Sequence, residues 1–383
     1  MEGMKPRIAL PPFPRFRGRL HDARTATSIG RWLGLAITVC FLTGVTSHYL
    51  QRPPDWLADL LPSRPTWGYR FSQGLHVASG IAAIPLLMAK LWAVYPRLFV
   101  TPPLRSVRHA LERLSVAVLV GAGVFQLFTG LLNIVEWYPW PFSFVPVHFA
   151  VAWLLAGALL LHIVVKWPEI RSHWGLRSAG TLELPAEDAA DRRSLLTAVG
   201  AGVAAVTLTT VGQSFTPLKR LDLLAPRHPD HGTQGLPINR TAYAAGVSAE
   251  SARGWRLTVA GPKPYGLSLA ELEALPQYEV RLPIACVEGW SVEARWSGVR
   301  IRDLLERAGA SPRSRVRVVS LERRGAYRVM EMGATYAEDP MTLLALRLNG
   351  EVLSLDHGFP ARIIAPNRPG VWQTKWVGGL EVL

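Results

Sequence analysis

The sequence predicts an all-α membrane bundle of four helices plus a fifth anchoring helix, followed by a mixed α+β domain outside the bilayer. Three observations predict it. Apolar runs of about 20 residues, the length that crosses a hydrocarbon core, recur five times before Gln213 and stop there. Arg and Lys gather in alternate connectors between those runs, the asymmetry of a positive-inside membrane protein. Beyond Ser214 the pattern changes to short β-rich segments punctuated by Gly and Pro, which read as strands.

Residues 1–28 are a basic, Pro-rich leader carrying Lys5, Arg7, Arg15, Arg17, Arg19 and Arg24, without the apolar core of a cleavable signal. That predicts a cytoplasmic start. The first span is Ile29 to Leu50, with Cys40 inside it as packing. A Pro-rich connector, Arg52 to Pro65, leads to a second span from Phe71 to Tyr95, where Lys90 near the far end is placed to snorkel to the interface. Arg97, Arg105, Arg108 and Arg113 make the next connector cytoplasmic. The third span, Leu111 to Val135, meets E-W-Y-P-W-P-F, an aromatic belt without Lys or Arg that marks the opposite interface. The fourth, Val145 to Trp167, returns to Lys166, Arg171 and Arg177.

Residues 29–180 thus form one four-helix domain, and 181–213 hold a linker and the fifth span. Arg192 and Arg193 at the start of that span resemble a twin-arginine export signal lodged inside the chain; Asp191 stands where Ser or Thr is usual, and a plain inside anchor is the alternative reading. Five spans beginning inside place residues 214–383 outside. Within that domain Trp255–Ala260, Tyr278–Ala285, Arg315–Leu321 and Tyr327–Met332 read as strands and Ile301–Ala308 as a helix.

The chain is 383 residues long, 18% charged and net +14, and its positive charge flanks apolar runs, which points to a membrane surface and away from nucleic acid. Cys40 and Cys286 are the two cysteines and lie in different environments, so no disulfide is expected.

Cys286 sits in I-A-C-V-E-G-W-S-V-E-A-R-W, followed by W-S-G-V-R-I-R-D-L-L. These residues resemble the molybdenum-binding segment of the sulfite oxidase fold, in particular its periplasmic methionine sulfoxide reductase branch. A second block, H-G-F-P-A-R-I-I-A-P-N-R-P-G-V-W-Q-T-K-W, is similar to the pterin-binding end of that family. The resemblance implies that Cys286 gives molybdenum its one protein thiolate, and that His357, Arg362 and Lys375 contact the molybdopterin and its phosphate. Arg362, Arg368 and Lys375 on one Gly- and Pro-rich loop also suit an anionic cofactor on chemical grounds, a planar fork and a point charge for phosphate oxygens. Asn239 and Arg240, in P-I-N-R-T-A, precede the cysteine segment where this fold approaches its cofactor. Trp290 and Trp296 read as packing. The arginine and tyrosine set that sulfite oxidases place around sulfite has no match here beyond the candidates Arg240, Arg281 and Tyr336.

In the fourth span, His148 and His162 are about 21 Å of rise apart and within about 40° of one helix face. Histidine in hydrocarbon points to function, because its ring needs a partner there. His76, on the same outer side as His148, completes a ligand pair for one haem b. The arrangement resembles the four-helix di-haem cytochromes b that serve as membrane subunits of formate dehydrogenases and NiFe hydrogenases. That resemblance implies a second haem at His162, but the first span reads A-T-S-I-G-R-W-L-G where its partner belongs, leaving His21 or His109 as substitutes. His48 lies at the outer interface.

The expected function is a molybdopterin-dependent oxidoreductase of a bacterial-type inner membrane. A quinol or another membrane donor would feed haem b and then an outer molybdenum centre that reduces an S-oxide or similar small-molecule acceptor. Two alternatives stand beside it: the same path run oxidatively, and a haem-bearing carrier whose outer domain only docks a partner.

Overall fold

The computed structural model describes residues 20–98, 106–172, 186–228 and 231–383. The predicted leader before residue 20, and Arg105 and Arg177 in the connectors, lie outside the described residues.

Among the described residues, five helices are long and apolar enough to cross a membrane: α1 (Ala23–Gln51), α3 (Gly68–Leu98), α4 (Val107–Ile134), α5 (Phe144–Ser172) and α6 (Ala186–Val211). Between α1 and α3, a short helix α2 (Asp55–Ala58) occupies the Pro-rich connector. Capping fixes two of the starts. Asp22 accepts from the Thr25 amide at 2.6 Å before α1, and Ser106 accepts from the His109 amide at 3.2 Å before α4. The helices keep large apolar side chains on their outer faces, among them Trp32, Leu42, Met88, Leu160 and Val164. Such a surface suits lipid and would be an aggregation hazard in water.

α1 packs along α3, α4 along α5, and α6 lies on the outside of α3, where Leu196, Val199 and Val203 meet the Ile29, Leu33 and Ala83 cluster. Arg192 and Arg193 fall within α6, because the helix begins before them at Ala186. The Lys90 ammonium donates to the Ala26 carbonyl near the start of α1 at 2.7 Å.

Among its described residues, the C-terminal domain holds two five-stranded sheets. Its strands are β1 (Arg256–Ala260), β2 (Tyr265–Ser268), β3 (Tyr278–Ala285), β4 (Ser291–Arg300), β5 (Val316–Ser320), β6 (Val329–Met332), β7 (Leu343–Leu348), β8 (Glu351–Val352), β9 (Arg362–Ile364) and β10 (Val377–Val382). One sheet runs β2-β1-β10-β5-β6, with β10 parallel to β1 and antiparallel to β5. The other runs β3-β4-β7-β8, with β9 also on β7. Helix Ile301–Arg307 follows β4 directly and buries Ile301, Leu304 and Leu305 in the first sheet's core. A separate core of Leu282, Ile284, Trp290, Trp296, Leu343 and Ile364 supports the cysteine strand.

This domain sits on the C-terminal end of α1 and the N-terminal end of α3. Arg315 forks onto the Asp59 carboxylate at 2.9 and 2.5 Å, and Arg64 onto Asp339 at 3.1 Å through both nitrogens. Backbone groups join too. The Tyr69 amide donates to Asn367 at 2.6 Å, Asn367 donates to the Pro62 carbonyl at 2.7 Å, and the Trp372 indole donates to the Gln51 carbonyl.

Candidate active site

β3 and β4 pair up to Ala285 opposite Ser291, so Cys286 to Trp290 form the turn of a hairpin. The Cys286 amide donates to the Trp290 carbonyl at 2.9 Å and the Gly289 amide to the Cys286 carbonyl at 3.1 Å. A tight turn at the end of two buried strands thus fixes the thiol. Asn239 meets it from another loop: its amide nitrogen lies 2.9 Å from the sulfur and 2.6 Å from the Glu288 carboxylate, while its oxygen accepts from the Trp290 indole at 3.0 Å. Trp290 is buried, as packing requires, and its indole also orients Asn239.

Burial, with the Glu288 carboxylate beside it, pushes the Cys286 thiol well above its ordinary range. Burial raises Glu288 as well, against the hydrogen bond it shares with the thiol. A metal that takes this sulfur therefore has to displace its proton.

The second block lies directly over the first. Pro369 bridges Ala285 in parallel, and Gly370 comes so close that a Cβ on it would stand 2.8 Å from the Ala285 oxygen. Only glycine permits that approach. Lys375 donates to the Arg240 carbonyl at 2.9 Å and the Asp356 carbonyl at 2.7 Å, and burial, with Arg362 nearby, brings its ammonium down to about 7. His357 donates to the Thr233 carbonyl at 2.6 Å, and burial outweighs that bond, lowering it to about 4. Arg362 spends its two terminal nitrogens on the His357 and Gln373 carbonyls at 3.0 and 3.1 Å and stacks 5.0 Å over Trp296.

The remaining cations are arranged differently. Arg368 reaches the Glu331 carbonyl at 2.8 Å and lies over Tyr336, turned toward β6 and away from Lys375. Arg240 pairs with Glu322 at 2.6 Å, and exposed Arg281 pairs with Glu293 at 3.0 Å on the outer face of β3. Buried Nε atoms of Arg240 and Arg362 and the Thr374 hydroxyl have no hydrogen-bond partner among the described residues. Together with the buried ammonium of Lys375 they are donors suited to a phosphate-bearing pterin.

In the bundle, α1, α3, α4 and α5 enclose a cavity of about 1490 Å³, larger than the roughly 300–1,000 Å³ of common ligand pockets. His48, His76, His109, His148 and His162 all line it, and so does Val287 of the cysteine turn. The rings of His76 and His148 lie close together with centres 6.5 Å apart and planes nearly perpendicular, at 81°. His76 Nδ1 donates to the Cys40 carbonyl at 2.8 Å, and His148 Nδ1 meets the Thr129 hydroxyl at 3.3 Å. Each ring therefore has its other nitrogen available. His162 has no such ring opposite it among the described residues. His21 stacks on Trp92 with centres 4.5 Å apart, and His48 stacks on Phe149 at 3.6 Å.

The sequence reading assigned no role to Glu288 or to Gln73. The carboxylate was visible two residues after the cysteine, whereas Gln73 carried no signal beyond being a polar residue in an apolar span.

Residues 244–383 match the oxidoreductase molybdopterin binding domain family. The C-terminal domain is thus similar to molybdopterin-binding oxidoreductase domains, on a chain whose N-terminal part holds helices long and apolar enough to cross a membrane. Over 130 residues it is 35% identical to the uncharacterized oxidoreductase YuiH of Bacillus subtilis, covering 33% of this chain and 64% of that one. Over 162 residues it is 32% identical to YedZ1 of Azospira oryzae, assigned as a protein-methionine-sulfoxide reductase subunit, covering 42% of this chain and 61% of the relative. Rat mitochondrial sulfite oxidase is 31% identical over 148 residues, 32% of this chain and 27% of that one. The chain thus spans less than two thirds of the length of each of these relatives.

Proposed function

We propose that this enzyme carries electrons from a membrane donor of the quinol class, through one haem b held by His76 and His148, to a molybdopterin centre on Cys286 that reduces an S-oxide. The observation that carries the reading is the imidazole pair. His76 and His148 would be the residues that hold the iron, and their ring centres, 6.5 Å apart, would leave room for one metal ion between them. Both Nδ1 atoms are held by neighbours, the outer contact that orients a ligating histidine. Glycines make room as well: a Cβ on Gly34 or Gly121, both lining the cavity, would meet no atom within 4 Å.

When bound, the molybdenum pterin supplies the oxygen-atom chemistry, in which an S-oxide, two electrons and two protons become a sulfide and water. The chain holds and orients. Cys286 is the thiolate ligand, Asn239 fixes the sulfur, and Lys375 with Arg240 faces the anionic part of the cofactor. Glu288, a buried acid 2.6 Å from the Asn239 amide, is placed to hold a proton beside the sulfur. Two observations support the S-oxide direction: the Azospira relative is named for a protein-methionine-sulfoxide reductase, and Arg281 is an exposed residue paired with Glu293 while Tyr336 is packed in the first sheet's core. Basic residues Arg31, Lys90, Arg113 and Lys166 at the end of the bundle far from the outer domain support an inside N-terminus.

Metal and pterin analysis with a reduced-minus-oxidised absorption spectrum tests both cofactors. Chemically reduced protein should have its haem reoxidised by methionine sulfoxide. Reduction of the haem by sulfite, with no reoxidation by any S-oxide, would reverse the direction.

A further inference from the structure

The cysteine turn does more than face solvent; it stands on α3. Gly289, at φ +95°, lies so close to that helix that a Cβ would stand 2.5 Å from Val77. The segment after α6 clamps it there: the Ser291 amide donates to the Gln213 carbonyl at 2.7 Å, and the Ser214 hydroxyl donates to the Gly289 carbonyl. Between helix and turn lies Gln73, 5% exposed. Its Nε2 donates to the Val287 carbonyl at 2.7 Å. Its Oε1 accepts from Ser47 at 2.8 Å, and Ser47 in turn accepts from Gln51 at 3.0 Å and meets the Tyr69 hydroxyl at 3.3 Å.

This network fixes the amide in one orientation, with its donor aimed at the peptide that follows Cys286. Buried polar groups fully satisfied in this way are rigid. His76 is three residues on, one turn further along the same face of α3. One unbroken run of bonds therefore joins the Cys286 sulfur to the His76 imidazole: the Cys286 backbone, the Val287 peptide, the Gln73 amide and a single turn of helix. Val287 also lines the cavity that His76 and His148 line.

We infer that the Gln73–Val287 hydrogen bond is the bridge by which each electron passes from the haem to the molybdenum thiolate, with Gln73 a positioning residue for that transfer. The inference rests on the haem assignment above. Two successive one-electron transfers across the bridge, with two protons from solvent, balance the reduction of one S-oxide to sulfide and water.

The test uses the full-length protein in detergent. Gln73→Met keeps the unbranched stem without the amide. Gln73→Glu keeps the size and the bond from Ser47 but, ionised, loses the donor. Each is reduced with dithionite, freed of excess reductant and mixed with methionine sulfoxide while haem absorbance is followed. Reoxidation should slow by about 10–100-fold, the usual effect of losing a contact just outside a metal ligand. Haem spectrum, haem midpoint potential and S-oxide reduction driven by a viologen radical, which reaches the outer domain without the haem, should stay at wild-type values. Arg315→Ala, which cuts the Asp59 docking pair elsewhere on the same interface, should not slow reoxidation. A wild-type rate in both Gln73 variants, or equal slowing in Arg315→Ala, overturns the bridge. A wild-type protein without haem, or whose haem is not reoxidised by S-oxide, sinks the haem reading instead, so the two failures are told apart.

Discussion

Asn239 holds the sulfur of Cys286 at 2.9 Å across 47 residues of sequence, and the Trp290 indole fixes which end of its amide faces that sulfur. A donor to a thiolate stabilises it and sets its direction. Asn239→Ala should retain the fold and most of the molybdenum while lowering S-oxide turnover by about 10–100-fold. Asn239→Asp should fall further, because a carboxylate then sits between the thiolate and Glu288. Metal content measured beside turnover distinguishes lost binding from lost rate.

Cys286→Ser should keep its haem absorption and lose turnover, since the alcohol does not replace the thiolate. Full activity in that variant would remove the cysteine from the metal.

His76→Ala and His148→Ala should each abolish the same haem signal, and His162→Ala should leave it in place. Pyridine haemochrome content of the three variants decides it. Unchanged haem in both of the first two would show that the paired rings do not hold the iron.

Lys375 gives a pH dependence with a defined sign. Its ammonium is brought down to about 7 in the fold, against about 10.4 in an unfolded chain. Between those values the unfolded chain binds the extra proton, so stability of the cofactor-free protein should rise with pH, and below about 7 this term is constant. An anionic cofactor beside Lys375 keeps the ammonium charged and removes the rise. Thermal melts of cofactor-free and loaded protein from pH 6.5 to 9 should diverge accordingly; parallel curves would place the anion elsewhere.

Replacing Arg192 and Arg193 together by Lys preserves the inside charge. If the pair is an export signal, cofactor-loaded domain should fail to reach the outer side. Normal delivery of the loaded domain would leave the pair as an anchor within α6.

The membrane half was legible because each span is an uninterrupted apolar run of helical length; the helices extend past the predicted ends by several residues, where polar turns continue the hydrogen bonding without an apolar signal. β1, β3, β5 and β6 were legible for their β-branched residues and flanking turns. β7 was not, since L-L-A-L-R-L is buried on both faces and shows no alternation. The cysteine and the C-terminal block stood out by motif. Their juxtaposition through Pro369 and Gly370 did not, and neither did Gln73, because sequence patterns report a residue's own face and not what arrives there from a distant part of the chain.

The position of β10 between β1 and β5 sets a timetable for assembly. Thr258 pairs with Gly379, so the first sheet stays open until more than 100 residues beyond β1 have been made, while α1 to α6 precede all of it. The helices can be seated in lipid with the ledge formed by Asp59, Tyr69 and Gln73 already in place before the outer domain closes. Long-range pairing of this kind is slow to form, which leaves an interval in which the Cys286 turn and the Lys375 loop are still apart and the pterin can enter.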